Sequence, residues 1–314
     1  MLNSEMQCAQ CRASAKFRCG RCENIFYCSP ECQKQNFAQH RIACGPMEWT
    51  AEKVTEFFQG GHEIGRGGFG RVFANEQICP AVLVKYSRSQ AECTKFETEY
   101  EIAVHIAEQT EKLHFRDDNV AVVKVIKEIS NLRDISQGQT WCAMVMQRIL
   151  RPRLQFGADN TLSYQLYLGN APEIPPHTSI GRGNYIGPMQ AEQLLGRARV
   201  EALAMSMGRL IGFLHYGAKV DATDMEYLLG STTEEPDRLR VFAVDFDRVR
   251  KIDPAAEDPH NLEWSLAQEA YFPTFEDMAL YKNFKRGYLE QAKLYNYVTK
   301  ASEVIELYEN DLSL

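Results

Sequence analysis

The sequence predicts an α+β protein in which a small two-zinc unit precedes a two-lobed main domain. Three observations carry this reading. Seven of the ten cysteines fall before residue 45, so they belong to one small unit. Between residue 60 and about 150 the apolar segments read as strands, and beyond that helical periodicities dominate; strands followed by helices is the α+β order. A chain of 314 residues also leaves room for a main domain with its own well-buried core.

A content of 45% hydrophobic and 25% charged residues is ordinary for a soluble globular protein. No run of 18 apolar residues occurs, so no membrane span is expected. The start, Met1-Leu2-Asn3-Ser4-Glu5-Met6, lacks the basic and apolar regions of a secretory signal. The expected home is a reducing compartment, the cytoplasm with the nucleus as the other choice, where clustered cysteines favour metal over disulfides. The net charge of −7 is uneven: residues 1–46 carry six Lys/Arg and three Asp/Glu, which leaves the remainder near −10. An acidic main domain argues against a large nucleic-acid footprint, though not against a local basic patch.

The metal-ligand candidates are Cys8, Cys11, Cys19, Cys22, Cys28, Cys32, His40 and Cys44. Their spacing reads C-x2-C, x7, C-x2-C, x5, C-x3-C, x7, H-x3-C. A structural zinc takes four sulfur or nitrogen ligands, so eight ligands make two closed sites with no position left for substrate. A C-x2-C pair supplies two thiolates from one tight turn, and the C-x3-C and H-x3-C pairs suit one face of a short helix. So short a segment cannot build a core, and metal binding supplies its folding energy. With Phe26-Tyr27-Cys28 inside it, the pattern resembles the MYND zinc finger over its full length. That resemblance implies interleaved pairs: Cys8, Cys11, Cys28 and Cys32 on one zinc, and Cys19, Cys22, His40 and Cys44 on the other. It also implies docking of a protein or peptide partner.

The finger is expected over 1–46, closed by Gly45-Pro46, with a connecting helix over 47–59 and the main domain over 60–314, its first lobe about 60–150 and its second about 151–314. Glu63 to Phe73 reads as strand, glycine turn, strand, and Ala81 to Lys85 as a short apolar strand. Phe96, Tyr100, Ala103, Val104 and Ala107 repeat at helical spacing. Ala121 to Val125 and Trp141 to Gln147 read as further strands, and the Pro- and Gly-rich stretch Ala171 to Pro188 as a long loop or inter-lobe insertion. Leu203, Met207, Leu210, Ile211 and Leu214 mark an amphipathic helix, Val241 to Val244 a strand, and Phe275 onward is mostly helical.

Gly65-x-Gly67-x-x-Gly70-x-Val72 has a form that lets backbone N–H groups approach phosphate. Lys85 ends an apolar strand fifteen residues after Gly70, and Glu97, Glu99 or Glu101 on the next helix can pair with it. Asp221 and Glu226 follow Leu214-His215, and Asp245-Phe246-Asp247 follows an apolar strand. In order and approximate spacing these parts resemble a protein kinase or aminoglycoside phosphotransferase. Departures accompany the likeness. Glu226 stands where a kinase has Asn, Asp247 where it has Gly, no His-Arg-Asp triplet precedes the loop, and only 69 residues follow Asp245. The two-lobed kinase-like fold is therefore expected more firmly than phosphotransfer.

A second resemblance covers nearly everything after the finger. Ile64-Gly65-x-Gly67, Tyr167-Leu168-Gly169, Leu214-His215, Asp221-Ala222-x-Asp224-x-Glu226-Tyr227-x-Leu229-Gly230, Val244-Asp245-Phe246-Asp247 and Tyr271-Phe272-Pro273 occur in that order. They resemble a fungal family of zinc-finger proteins that includes arginine-containing cyclodipeptide synthases. The resemblance implies transfer of amino acids from aminoacyl-tRNA, Arg-tRNA among them, into a diketopiperazine, a transferase activity of secondary metabolism. Asp221, Asp224, Glu226 and Asp245 are the implied catalytic residues; Gly65, Gly67, Gly70 and Lys85 would hold a terminal phosphate; no cofactor beyond two structural zinc ions is expected.

The chemistry suits these residue types. Aminoacyl transfer needs a base for an α-ammonium and an anionic seat for it, and crowded carboxylates raise one another's pKa toward a usable range. A carboxylate pair also clamps a guanidinium. Plainer readings stand beside this one: Asp221 and Asp224 as caps, Asp245 and Asp247 as paired strand-end charges, His215 as a core histidine, Lys85 as a solvated strand end, and Cys79, Cys93 and Cys142 as packing residues. Two other functions fit the same features, a non-catalytic interaction protein on a pseudokinase-like scaffold and an ATP-dependent small-molecule phosphotransferase.

Overall fold

Alternation along Val82-Leu83-Val84-Lys85-Tyr86-Ser87 means that this strand has two buried faces, which calls for a helix on each side of its sheet. The computed structural model describes residues 7–19, 25–43, 48–66, 70–75, 78–79, 81–87, 89–133, 140–150, 164–169, 185–233, 235, 237–267 and 271–312. The side chains of 37–43, 66, 130–133 and 140 fall outside that description. In the cysteine-rich unit, β1 (Phe17–Arg18) and β2 (Phe26–Tyr27) pair antiparallel ahead of α1 (Pro30–Ala43). Next comes α2 (Ala51–Gly60), capped by the Thr50 hydroxyl accepting from the Lys53 amide.

The first large sheet is antiparallel throughout, with β3 (His62–Arg66), β4 (Gly70–Ala74) and β5 (Val82–Ser87) as its first three strands. The chain then forms α3 (Cys93–Lys112) and β6 (Val120–Val122), and returns as β7 (Val125–Arg133) and β8 (Thr140–Gln147) to give the order β3-β4-β5-β8-β7. Val82, Val84 and Tyr86 pack with Val54 and Phe57 of α2 on one face. On the other, Leu83 and Met144 pack with Phe96, Ile102 and Ile106 of α3. The helix expected as a connector over 47–59 thus also covers one face of this sheet.

Among the described residues, the second half contains the expected strand over 241–244 together with three that periodicity did not reveal. In chain order the four are β9 (Tyr164–Leu166) and β10 (Tyr185–Ile186), then, after α4 (Pro188–Leu195) and α5 (Arg197–Gly212), β11 (Glu226–Gly230) and β12 (Arg240–Val244). The second sheet runs β10-β9-β11-β12-β6, with β6 parallel to β12, so a strand from the first half of the chain completes it. The fold is mixed helix and sheet as expected, but strands are not confined to the first half. Of the expected loop over 171–188, residues 171–184 lie outside the described residues.

Helices α6 (Pro259–Ala267), α7 (Met278–Leu294) and α8 (Val298–Asp311) finish the chain. Helices α5 and α7 approach through glycine: a Cβ at Gly208 would lie 2.1 Å from the Phe284 carbonyl oxygen, and one at Gly287 2.1 Å from that of Met205. Beyond α5 the chain continues as a buried π-helical segment, Phe213–Ala218, ended by Lys219 at φ 59°. His215 lies in this segment, wholly buried, and its pKa is pushed down to about 4 by burial. Ser265 donates to the Leu262 carbonyl at 2.7 Å, so its hydroxyl oxygen accepts from His215 Nε2 at 3.0 Å. His215 Nδ1 therefore accepts from the Tyr288 hydroxyl at 2.9 Å, which in turn accepts from Tyr216 at 2.9 Å. Every proton is accounted for with a neutral imidazole, and His215 is a satisfied core residue.

One expectation is overturned. Cys93 and Cys142, read as packing residues, form a disulfide with Cα atoms 5.5 Å apart, because the start of α3 lies directly on β8. Cys79 is buried among apolar neighbours, as expected.

On α6, Glu263 is buried, and burial together with Asp311 of α8 raises its pKa from 4.5 to about 7. Its protonated form is favoured in the fold, so its contribution is present below pH 4.5 and is lost as pH rises toward 7. The melting temperature is expected to fall between pH 5 and about 8 by more in the wild type than in Glu263→Gln, measured by calorimetry.

Candidate metal centre and acidic cluster

Cys8, Cys11, Cys28 and Cys32 bring their sulfur atoms within 4.8 Å of one another. The Cys11–Cys28 and Cys28–Cys32 separations are 3.4 Å, and Cys11–Cys32 is 3.8 Å. A zinc–sulfur bond of about 2.3 Å in a tetrahedron puts sulfurs about 3.8 Å apart, so the set fits a zinc ion. The local chain explains the convergence. Arg12 at φ 63° turns the first C-x2-C back, with its amide donating to the Cys8 carbonyl at 2.8 Å. Ala9 donates to the Phe26 carbonyl at 2.8 Å, which docks that turn on β2. Ser29 caps α1 by accepting from the Cys32 amide at 3.3 Å, and Pro30 opens the helix. Cys28 therefore lies in the turn before α1 and Cys32 in its first turn. Burial opposes a charge on Cys8, but backbone N–H groups of Cys28, Cys11 and Gln10 bring its pKa down to about 6.

Of the other four expected ligands, Cys19 is buried, Cys22 and Cys44 lie outside the described residues, and His40 lies on α1 with its side chain undescribed.

The second constellation centres on Lys85. On β5 it aligns with Val72 and Met144. Its ammonium donates to both carboxylate oxygens of Glu99 and to Asp245 Oδ1, each at 2.9 Å. Glu97 and Glu101 point outward, so Glu99 is the partner that α3 supplies. Burial works against the charge on Lys85, but the two carboxylates outweigh it and hold the ammonium well above its ordinary range. Burial raises the Glu99 pKa, and Lys85 opposes the rise. Lys85 is thus no solvated strand end.

Gly70 makes room for this lysine. A Cβ there would lie 3.0 Å from the Tyr86 carbonyl oxygen, 3.2 Å from the Phe96 ring and 3.4 Å from Lys85 Cγ. Gly65 sits at a bulge in β3 opposite Val72, and Gly67 lies outside the described residues.

Glu226 and Asp247 complete the cluster. Burial raises the Glu226 pKa and Asp245 adds to it, against a Gln165 hydrogen bond and Lys85. Asp247 is raised by burial and then by Asp245, against Lys85 and Arg248.

Ala222, Asp224 and Asp245 have φ of 54°, 61° and 62°, a conformation that costs non-glycine residues free energy and needs firm support. The support is a zipper between two segments. Val220 bridges Lys251, the Asp221 amide donates to the Arg250 carbonyl at 3.0 Å, and Ile252 donates to that of Lys219 at 2.9 Å. The Asp221 carboxylate accepts from the Arg250 amide at 2.9 Å, Arg250 Nε at 2.8 Å and the Thr223 amide at 3.3 Å. Arg248 pairs with Asp224 at 3.2 Å.

Asp221, expected to be catalytic, is wholly buried and its carboxylate is taken up in holding these segments together. Asp221→Ala leaves the Arg250 and Thr223 amides without their acceptor, while the Arg250 guanidinium is exposed enough to turn to water, and the change is expected to cost about 1–3 kcal/mol. A thermal melt of that variant indistinguishable from wild type would contradict this placement. Sequence reasoning missed Arg248, Arg250 and Gln165; the alternation Asp247-Arg248-Val249-Arg250 was the available signal for the arginines.

Comparison with known proteins agrees with the metal geometry. Residues 8–44 match the family model described as MYND finger. They are a MYND finger. The N-lysine methyltransferase SMYD2 of Homo sapiens is 43% identical over 42 residues, 13% of this chain and 10% of that protein. The Sus scrofa protein of the same name is 50% identical over 30 residues, 10% of this chain and 7% of that protein. The zinc finger MYND domain-containing protein 10 homolog of Drosophila melanogaster is 38% identical over 42 residues, 13% of this chain and 9% of that protein. The chain therefore spans about a tenth of the length of these relatives, and the likeness is to their MYND fingers. No helix among the described residues is long and apolar enough to cross a membrane.

The MYND finger depends on metal for its folding. Cys28→Ser is expected to lose the one zinc ion that Cys8, Cys11, Cys28 and Cys32 would hold and to loosen that half of the finger. The melt of the remainder should not move, since its two large sheets have their own cores. Elemental analysis with calorimetry checks both, and unchanged zinc content would remove Cys28 from the ligand set.

Proposed function

We propose that the chain is a tRNA-dependent aminoacyltransferase of the cyclodipeptide-synthase kind, Arg-tRNA being one donor, built on a two-lobed kinase-like domain. In this reading Cys19, Cys22, His40 and Cys44 hold a second structural zinc, and the MYND finger docks a protein or peptide partner. The observation that carries the proposal is the surplus of carboxylate around Lys85. Glu99 and Asp245 already neutralise that lysine, and Glu226 and Asp247 add negative charge with raised pKa values. Such a site repels a bare phosphate and attracts an α-ammonium or a guanidinium. Glu226, half-buried at the start of β11, is the base.

The steps balance with these groups. Glu226 takes a proton from the α-ammonium of one aminoacyl-tRNA. The free amine attacks the ester carbonyl of the second, a C–N bond forms, the C–O bond to the ribose breaks, and the proton passes to the ribose oxygen. The remaining amine then closes the ring on the remaining ester and frees the other tRNA. Asp245 and Asp247 seat the cationic groups, while Asp221 and Asp224 hold the loop. The basic surplus of residues 1–46 offers the phosphates an attraction that the acidic remainder lacks.

The pairing of Lys85 with Glu99 favours one second reading, phosphotransfer from ATP, which uses a strand lysine held by a helix glutamate. The purified chain incubated with Arg-loaded tRNA separates the two. Loss of the ester with an arginine-containing diketopiperazine in the mass spectrum supports aminoacyl transfer. Intact Arg-tRNA together with heat of binding for Mg-ATP supports the second reading.

A further inference from the structure

We propose that the Cys93–Cys142 disulfide is a reversible redox device that sets the position of α3, and through it the pairing of Glu99 with Lys85. The proposal rests on placement and does not depend on which reaction the Lys85 cluster serves. Cys93 is the first residue of α3, and Cys142 lies on β8 beside β5, the strand that carries Lys85. Ser87, two residues beyond Lys85, accepts from the Cys142 amide at 3.1 Å, and its hydroxyl lies 3.9 Å from the Cys93 sulfur. The disulfide, Ser87 and Lys85 therefore share the sheet face that α3 covers. Glu99 follows Cys93 by six residues, about 9 Å along the helix. Farther along, His105 Nε2 lies 2.7 Å from the Ala218 carbonyl oxygen at the end of the π-helical segment. Helix α3 is thus fixed covalently at its start, by an ion pair at Glu99 and by a hydrogen bond at His105. Opening the covalent tie releases the turn nearest to Glu99.

The remaining cysteines argue for reversibility. The same chain holds four clustered thiols that suit zinc only when reduced. Where such thiols persist, a disulfide elsewhere in the chain is typically transient or redox-sensing. Cys93 and Cys142 are buried, and as thiols they pack as small apolar groups, so reduction need not unfold the core. Access runs through the 3-10 turn Gln90–Glu92, whose Gln90 and Ala91 are exposed. The exchange is balanced: a dithiol attacks the disulfide through a mixed intermediate, leaving two thiols on the protein and one disulfide on the reductant.

The test uses the full chain, zinc-loaded, in oxidised form and after dithiothreitol. Peptide mass mapping reports the state of Cys93 and Cys142, and amide hydrogen exchange reports α3. Reduction is expected to raise exchange over residues 89–99 at least about tenfold, with zinc content and exchange in α7 unchanged. Cys142→Ala should match the reduced form and ignore dithiothreitol; Cys93→Ala serves the same purpose should the first variant not fold. Equal exchange over residues 89–99 in the two redox states would overturn the proposal. So would a pair that no glutathione buffer opens or closes.

Discussion

Gly287→Ala is expected to destabilise the protein by about 2–4 kcal/mol, although alanine is the better helix former by about 1 kcal/mol. The sign is the informative part. Gly287 lies inside α7 and Gly208 inside α5, and at each a methyl group would stand 2.1 Å from a backbone carbonyl oxygen of the facing helix. Backbone cannot rotate away as a side chain can, so the helices would have to separate along their contact. Phe284 and Tyr288, both fully buried beside that contact, would lose their packing as well. A melting temperature lower by roughly 5–15 °C is the expected readout for a domain of this size. A Gly287→Ala variant that melts at or above wild type would mean that the two helices do not approach as described.

Glu226→Gln should lower product formation by about two to four orders of magnitude while leaving the melting temperature at or slightly above that of wild type. The two readouts separate because Glu226 sits among like charges at the rim of the cluster. Its raised pKa means that the fold already favours the uncharged form that glutamine imitates. For the same reason the wild-type rate is expected to rise with pH as Glu226 loses its proton, and this limb should vanish in the variant. Asp221→Ala should behave oppositely, losing activity only in step with the folded fraction.

Much of the finger was legible in the sequence because metal ligands advertise themselves by spacing. The first four-cysteine set comes together as the MYND pairing implied, except that Cys28 precedes α1. The order Gly70, Lys85, Asp245 was legible for a similar reason: a short strand leads into Lys85 and another into Asp245. What stayed hidden depends on contacts distant in sequence. Strands β9 and β10 are three and two residues long, too short for any period to register. Strand β11 begins on Glu226, so its acidic start read as a loop motif. The Cys93–Cys142 pair is separated by 49 positions and carries no spacing signature. Asp221 looked like a free acid because nothing local marks Arg250, twenty-nine residues on, as its partner.

The most direct test of the central claim is mass spectrometry of extracts from a heterologous host expressing the full chain, with Glu226→Gln in parallel. The account predicts an arginine-containing diketopiperazine in the wild-type extract, and its loss in the variant at equal levels of folded protein. Wild-type amounts of that product from a normally folded Glu226→Gln protein, or no diketopiperazine from either, would contradict it.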